Sequence, residues 1–160
     1  MQDSPLGVRD TDFNSAFPAG MTIAATWHRS LFYQRGFGMG SEHKGKGVDT
    51  QLGPEVGPLG RQPPGGRSWE DFSPDPVFPG IAVGETILNE QEHFRQGLGS
   101  NAISSNLGDV TMHELYLWPF AGAVRAGTAS IMCSYNKINN SEACQNSYTQ
   151  NYLLKNELGF

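Results

Sequence analysis

Three short runs in this 160-residue chain place carboxylate and guanidinium side chains within a few positions of one another, two of them with an aromatic ring as well. They are Asp3-Ser4-Pro5-Leu6-Gly7-Val8-Arg9, Gly65-Gly66-Arg67-Ser68-Trp69-Glu70 and Asn89-Glu90-Gln91-Glu92-His93-Phe94-Arg95-Gln96. Carboxylates and guanidinium groups hold hydroxyls in a fixed pattern, and an aromatic face stacks on the C–H side of a sugar ring. The chemistry these runs suggest is carbohydrate binding, although charged loops are more often plain solvated surface. Glu92-His93 and His113-Glu114 offer metal-ligand types. Neither forms a His-Glu-x-x-His pattern or an i, i+4 ligand pair, so both histidines are read as surface residues or as supports behind a site, and no metal is expected.

The elements that must position these groups alternate. Thr26 is expected to cap a helix running to about Met39. Val48 to Leu52 reads as a short strand, and a Gly/Pro-rich loop follows from Gly53 to Gly80. A weak helical stretch spans Phe78 to Leu88. Thr111-Met112-His113-Glu114 has the form of a capping box, with Pro119 expected to kink or break the helix it opens and Gly127 to end it. Ala129 to Tyr135 reads as a buried strand. Ser147-Tyr148-Thr149-Gln150 is a second capping box, opening a helix to Leu158 with Gly159 as its stop. Strand, helix, strand, helix with polar and aromatic residues at strand ends predicts a parallel α/β fold, whose chemistry sits at the C-terminal ends of strands, where Tyr135 and Asn136 fall.

Composition narrows the partners. The net charge of −5 is mild and there is no basic stripe, which argues against nucleic acid. No apolar run approaches the roughly 20 residues that span a bilayer. No signal peptide is visible at Met1-Gln2-Asp3-Ser4-Pro5. Cys133 and Cys144 are read as a disulfide closing a short loop, worth about 3 kcal/mol in the chain-entropy model; the other reading is two buried thiols. The sequon Asn139-Asn140-Ser141 lies between them and marks Asn139 as a glycosylation candidate. Together these favour a secreted protein.

At several of these runs the chain resembles the fungal β-glucosidases of glycoside hydrolase family 3. The matching runs are Asp3–Arg9, Asn14–Gly20, Gln51–Arg61, Gly66–Pro76, Ile87–Gln96, His113–Gly127 and Ile131–Leu158. The resemblance implies that residues 1–160 are part of an N-terminal (β/α)8 TIM-type barrel of a larger enzyme, with a small glucoside or oligosaccharide as substrate and no cofactor. By the same resemblance Asp3, Arg67 and Tyr135 are expected to bind the sugar, with Arg95 as a further sugar-contacting or structural arginine.

The chain also departs from that family. Its nucleophile is an aspartate in a Ser-Asp-Trp motif that would lie beyond the position matching Phe160, and its acid/base comes from a later domain. Neither catalytic carboxylate is therefore assigned here. Asp75, Glu90 and Glu92 are not positioned as a substitute pair. Between Thr86 and Ile87 the family carries a further helical turn, a glycine and a strand ending in a substrate-binding Lys-His pair. The expectation is an incomplete barrel, one strand short and lacking its C-terminal strands, marginally stable and inactive alone. The competing reading is a non-catalytic glucose-binding relic.

Overall fold

The computed structural model describes residues 1–55, 68–83 and 104–160. Its frame is built from two parallel strand pairs and the helices that connect and cover them. Strand β1 (Gln2–Asp3) pairs in parallel with β2 (Gln51–Leu52), Gln2 opposite Gln51 and Asp3 opposite Leu52. Parallel neighbours need a crossover. Helices α1 (Gly20–Ala24) and α2 (Arg29–Gly45) supply it. The expected strand at 48–52 is thus present only at its last two positions.

Helix α2 runs beyond the expected stop at Met39, through Gly40 to Gly45. Its glycines weaken its intrinsic propensity, but its buried residues, Phe32, Arg35, Met39 and His43, recur at helical spacing. Tertiary packing of that face outweighs propensity. Thr26 does not cap it. His28 is the extended residue before the helix, and the Thr26 hydroxyl donates instead to the Ile23 carbonyl at 2.7 Å. The sequence reading missed α1, which is too short to show a period.

The second half shows how neighbours correct local signals. The Thr111 capping box does not form: Thr111 is already in helical backbone and makes no side-chain cap, while Gly108 is the extended residue before α4 (Asp109–Thr111). A cap needs non-helical backbone, and the helix starts too early to leave Thr111 any. Nor does Pro119 end the helix. After α4 come a π-helical segment, Met112–Tyr116, and α5 (Leu117–Arg125), with Pro119 fully buried. The Leu117 N–H reaches back to the Met112 carbonyl. This widened turn lies directly upstream of the proline, where a regular turn would bring a carbonyl against its ring. Gly127, at φ 79°, is the stop. Ala129 to Tyr135 forms no ladder among the described residues; Ile131 still packs against the core. The sheet of this half is instead β3 (Ser104–Ser105) parallel to β4 (Lys137–Ile138), with β5 (Ser141–Glu142) antiparallel to β4.

The last helix spans Tyr148–Glu157 and ends at Gly159, φ 77°. Its cap is Asn146 rather than Ser147. Asn146 is extended and buried, and its Oδ1 accepts the Thr149 N–H at 3.0 Å. Gln150 turns back to the Ala143 carbonyl at 2.7 Å.

The core gathers Ile23, Ala24, Phe32, Phe72, Ala82 and Ala123, with Phe78, Phe120 and Ile131 packed on it. Phe32 meets Phe72 and Phe78 edge-on, at centroid separations of 6.3 and 5.8 Å. Helix α3 (Val77–Val83) crosses α5 through two glycines. A Cβ on Gly122 would lie 2.3 Å from the Gly80 carbonyl oxygen. The weak helix expected from Phe78 begins one residue earlier; its stretch after Val83 lies outside the described residues.

Gly122→Ala is expected to lower stability by about 1–3 kcal/mol, because the obstacle is backbone that cannot turn aside. Gly40→Ala, at an exposed helical position with open space, is expected to raise it by about 0.5–1 kcal/mol. Paired urea titrations check both signs.

Candidate functional site

Asp3 is the last residue of β1, at the C-terminal end where a parallel sheet presents its functional groups. Its carboxylate is exposed and accepts from Arg9 Nη1 at 3.2 Å. Arg9 is fixed in turn: its N–H donates to Gln2 Oε1 at 3.0 Å, and its carbonyl accepts from Gln2 Nε2 at 2.9 Å. Sequence reasoning placed Arg9 inside the Asp3–Arg9 run without giving it a role; six residues of separation with an intervening Pro-x-Gly turn is the signal it carried.

The loop after Asp3 is irregular and partly buried, so its backbone groups need partners. Helix α2 provides them. Arg35 Nε donates to the Pro18 carbonyl at 2.7 Å and Nη2 to the Pro5 carbonyl at 3.0 Å. Burial lowers the Arg35 pKa to about 10, so it stays charged at neutral pH. Two turns on, the His43 ring bridges the Met39 carbonyl at Nδ1 (2.7 Å) and the fully buried Ser4 hydroxyl at Nε2 (2.6 Å). The carbonyl can only accept, so Nδ1 carries the proton and, in the neutral ring, Ser4 donates to Nε2. Ser4 and His43 resemble a catalytic dyad in composition, but both are sealed from solvent. Farther along the loop the Ser15 N–H donates to both Glu42 oxygens, at 2.9 and 3.0 Å; the Ser15 side chain, and after it this N–H, hold that carboxyl below its usual range.

Arg67 and Arg95 lie outside the described residues, as do Glu90, Glu92 and the Thr86/Ile87 junction. Next to Arg67, Trp69 is partly exposed, and Glu70, Asp71 and Phe72 are buried. The Trp69 carbonyl accepts the Met21 N–H at 3.3 Å. A side chain on Gly20 would strike the Glu70 carbonyl oxygen, at 2.1 Å, so the Pro18-Ala19-Gly20 run brings two chain segments into close backbone contact. Asp75 folds back to accept the Val77 N–H at 2.8 Å, a local turn contact.

Tyr135 is half exposed, on a bend between the Cys133–Cys144 disulfide and β4. The two cysteines are joined, with Cα atoms 5.2 Å apart. Inside that loop, β4 and β5 are connected by Asn139-Asn140, at φ 48° and 66°. Asparagine tolerates this left-handed turn, and an Asn-Asn pair was the hairpin signal the sequence reading passed over. Four asparagines tie the hairpin down. Asn136 Nδ2 donates to Ser105 Oγ at 3.1 Å, the Asn140 N–H donates to Ser104 Oγ at 2.8 Å, and Asn146 Nδ2 donates to the Ile138 carbonyl at 3.0 Å. The exposed Asn139 carboxamide pairs with both backbone groups of Leu107, at 2.9 and 3.1 Å. A glycan there would have to leave through the remaining amide hydrogen. No hydrogen bond or ion pair joins Asp3 to Tyr135.

Comparison with known proteins identifies what these features belong to. The family description "Glycosyl hydrolase family 3 N terminal domain" matches residues 6–160. The chain belongs to glycoside hydrolase family 3. Beta-glucosidase 1 of Aspergillus aculeatus is 59% identical over 184 residues, covering 100% of this chain and 21% of that protein. Beta-glucosidase A of Aspergillus kawachii is 58% identical with the same coverage. This family 3 chain thus spans about a fifth of the length of such relatives. Among solved structures, the family 3 β-glucosidase of Neurospora crassa superposes with a TM-score of 0.88 at 54% identity, over 97% of this chain and 21% of that one. β-Glucosidase 3B of Thermotoga neapolitana, in complex with glucose, gives 0.81 at 29% identity, over 99% and 25%. The likeness in fold therefore extends well beyond the fungal enzymes. Among the described residues, no helix is long and apolar enough to cross a membrane.

Reducing the disulfide, or replacing both cysteines by serine, is expected to remove about 3 kcal/mol of stability. Comparing unfolding midpoints with and without reductant checks this.

Proposed function

We propose that this chain is an incomplete barrel unit of a secreted, retaining β-glucosidase, carrying part of the sugar-binding subsite and neither catalytic carboxylate. The full enzyme would release terminal β-linked glucose through a covalent glycosyl-enzyme, with two carboxyl groups about 5–5.5 Å apart. The observation that carries this reading is similarity, along the whole of this chain, to about a fifth of a β-glucosidase at 59% identity. Asp3, at the end of a parallel strand with Arg9 beside it, has the exposure needed to accept sugar hydroxyls. Tyr135, on the disulfide-anchored bend, presents a half-exposed ring. Arg67 and Arg95 are carried in the same role on the sequence resemblance.

The length of the similarity supports the missing segment. An alignment of 184 residues against a chain of 160 means that the relative has internal residues absent here. The sequence resemblance puts that gap between Thr86 and Ile87, where the Lys-His strand would stand. The disulfide and the exposed Asn139 sequon suit secretion.

The test is an aryl β-glucoside assay with glucose titration, run on the chain and on Asp3→Asn. No hydrolysis above blank and glucose affinity weaker than millimolar are expected. Turnover abolished by Asp3→Asn would overturn the inactive-unit reading. Millimolar or tighter binding lost in Asp3→Asn would make the chain a glucose-binding relic.

A further inference from the structure

Away from Asp3 and Tyr135, four titratable groups link the start of α4 to both ends of the last helix. The Tyr148 hydroxyl, in that helix's first turn, donates to Asp109 Oδ1. His113 Nδ1 lies 2.8 Å from the Asp109 carbonyl oxygen, and Nε2 lies 3.2 Å from Glu157 Oε2, in the helix's last turn. The Asp109 carboxylate is 3.5 Å from Nδ1. The charged groups facing the ring are therefore Asp109 from its own helix and Glu157 from the last helix, both acidic. Tyr148 is the remaining titratable member.

Neither of the ring's hydrogen-bond partners can donate. A backbone carbonyl and an ionised carboxylate are acceptors only, so both contacts form at once only when both ring nitrogens carry hydrogen. A neutral imidazole has one N–H. Whichever tautomer it adopts, one nitrogen lone pair then faces an oxygen lone pair. The geometry is satisfied by imidazolium alone.

We propose that His113 is an acid-closed clasp: while doubly protonated it ties Glu157, at the C-terminal end of the last helix, to the first turns of the helix that begins at Asp109, and on losing a proton it lets that end go. The sign follows from linkage. The Asp109 carbonyl, the Glu157 hydrogen bond and the two acidic charges raise the His113 pKa above its ordinary value. Its contribution is thus complete below the unfolded-state pKa, near 6.5, and is lost as pH rises through the higher folded value. The proposal depends on neither sugar binding nor turnover. The Tyr148–Asp109 contact persists through this range, because that bond pushes the phenol up to about 12.

Backbone hydrogen exchange by mass spectrometry on the dilute chain tests it, with rates corrected for their intrinsic pH dependence. Protection of the 148–157 amides, relative to those of α2, is expected to fall as His113 deprotonates. The opening constant should rise about tenfold for each unit separating folded and unfolded pKa values. His113→Gln should flatten that profile. Identical profiles in the two proteins would overturn the clasp. Glu157→Gln, at a surface site away from the core, gives an independent reading: His113 should titrate at lower pH by NMR, and an unchanged titration would equally overturn it.

Discussion

The buried guanidinium of Arg35 holds together the part of the molecule that carries its chemistry. The loop from Ser4 to Ala19 has almost no ladder of its own, and its backbone oxygens at Pro5 and Pro18 turn inward. A buried carbonyl without a donor is costly, and an arginine offers several donors in a rigid fork. One side chain therefore satisfies two distant points of the loop. His43, two turns later, grips the loop at one point, Ser4, through a ring whose other nitrogen is fixed on the Met39 carbonyl of its own helix. Asp3 is adjacent to Ser4, so the position of the exposed carboxylate is inherited from the buried face of α2.

That dependence explains why α2 is long although its sequence is poor in helix formers. The helix carries Phe32 into the core and Arg35 and His43 onto the loop. Cutting it at Met39 would leave Ser4 without its ring partner. The glycines then become useful, since Gly38 lies where a Cβ would come within 2.9 Å of the Phe17 ring. The same principle recurs at Gly80 and Gly122, where removing side chains lets α3 and α5 bring their backbones together.

The second half uses side-chain amides where the first uses a cation. Its strand pairs are two residues long, and such short ladders hold little by themselves. Asn136, Asn139 and Asn146 extend the pairing with carboxamide bonds to Ser105, Leu107 and Ile138, and the disulfide closes the loop that bears Tyr135. Exposed residues on both halves, Asp3 and Tyr135, thus stand on frames whose own polar groups are satisfied internally.

The sequence alone pointed to the family, the parallel α/β character and the glycine stops at Gly127 and Gly159, because these depend on residue patterns or on one local backbone conformation; it favoured the Cys133–Cys144 pair over two thiols, and the structure joins them. It misplaced both capping boxes and Thr26, and of the kink or break expected at Pro119 no break occurs: the helix continues, with a π-helical segment just upstream. Each error has the same cause. A capping pattern is eligible wherever it occurs, but only the residue that neighbouring packing leaves in extended backbone can cap. A proline disrupts a regular turn, yet a widened π turn upstream accommodates it. Tertiary structure likewise decided that Ser4 and His43 meet and are sealed inside. Hydrogen-bond partners and burial are properties of contacts distant in sequence, which no local pattern encodes.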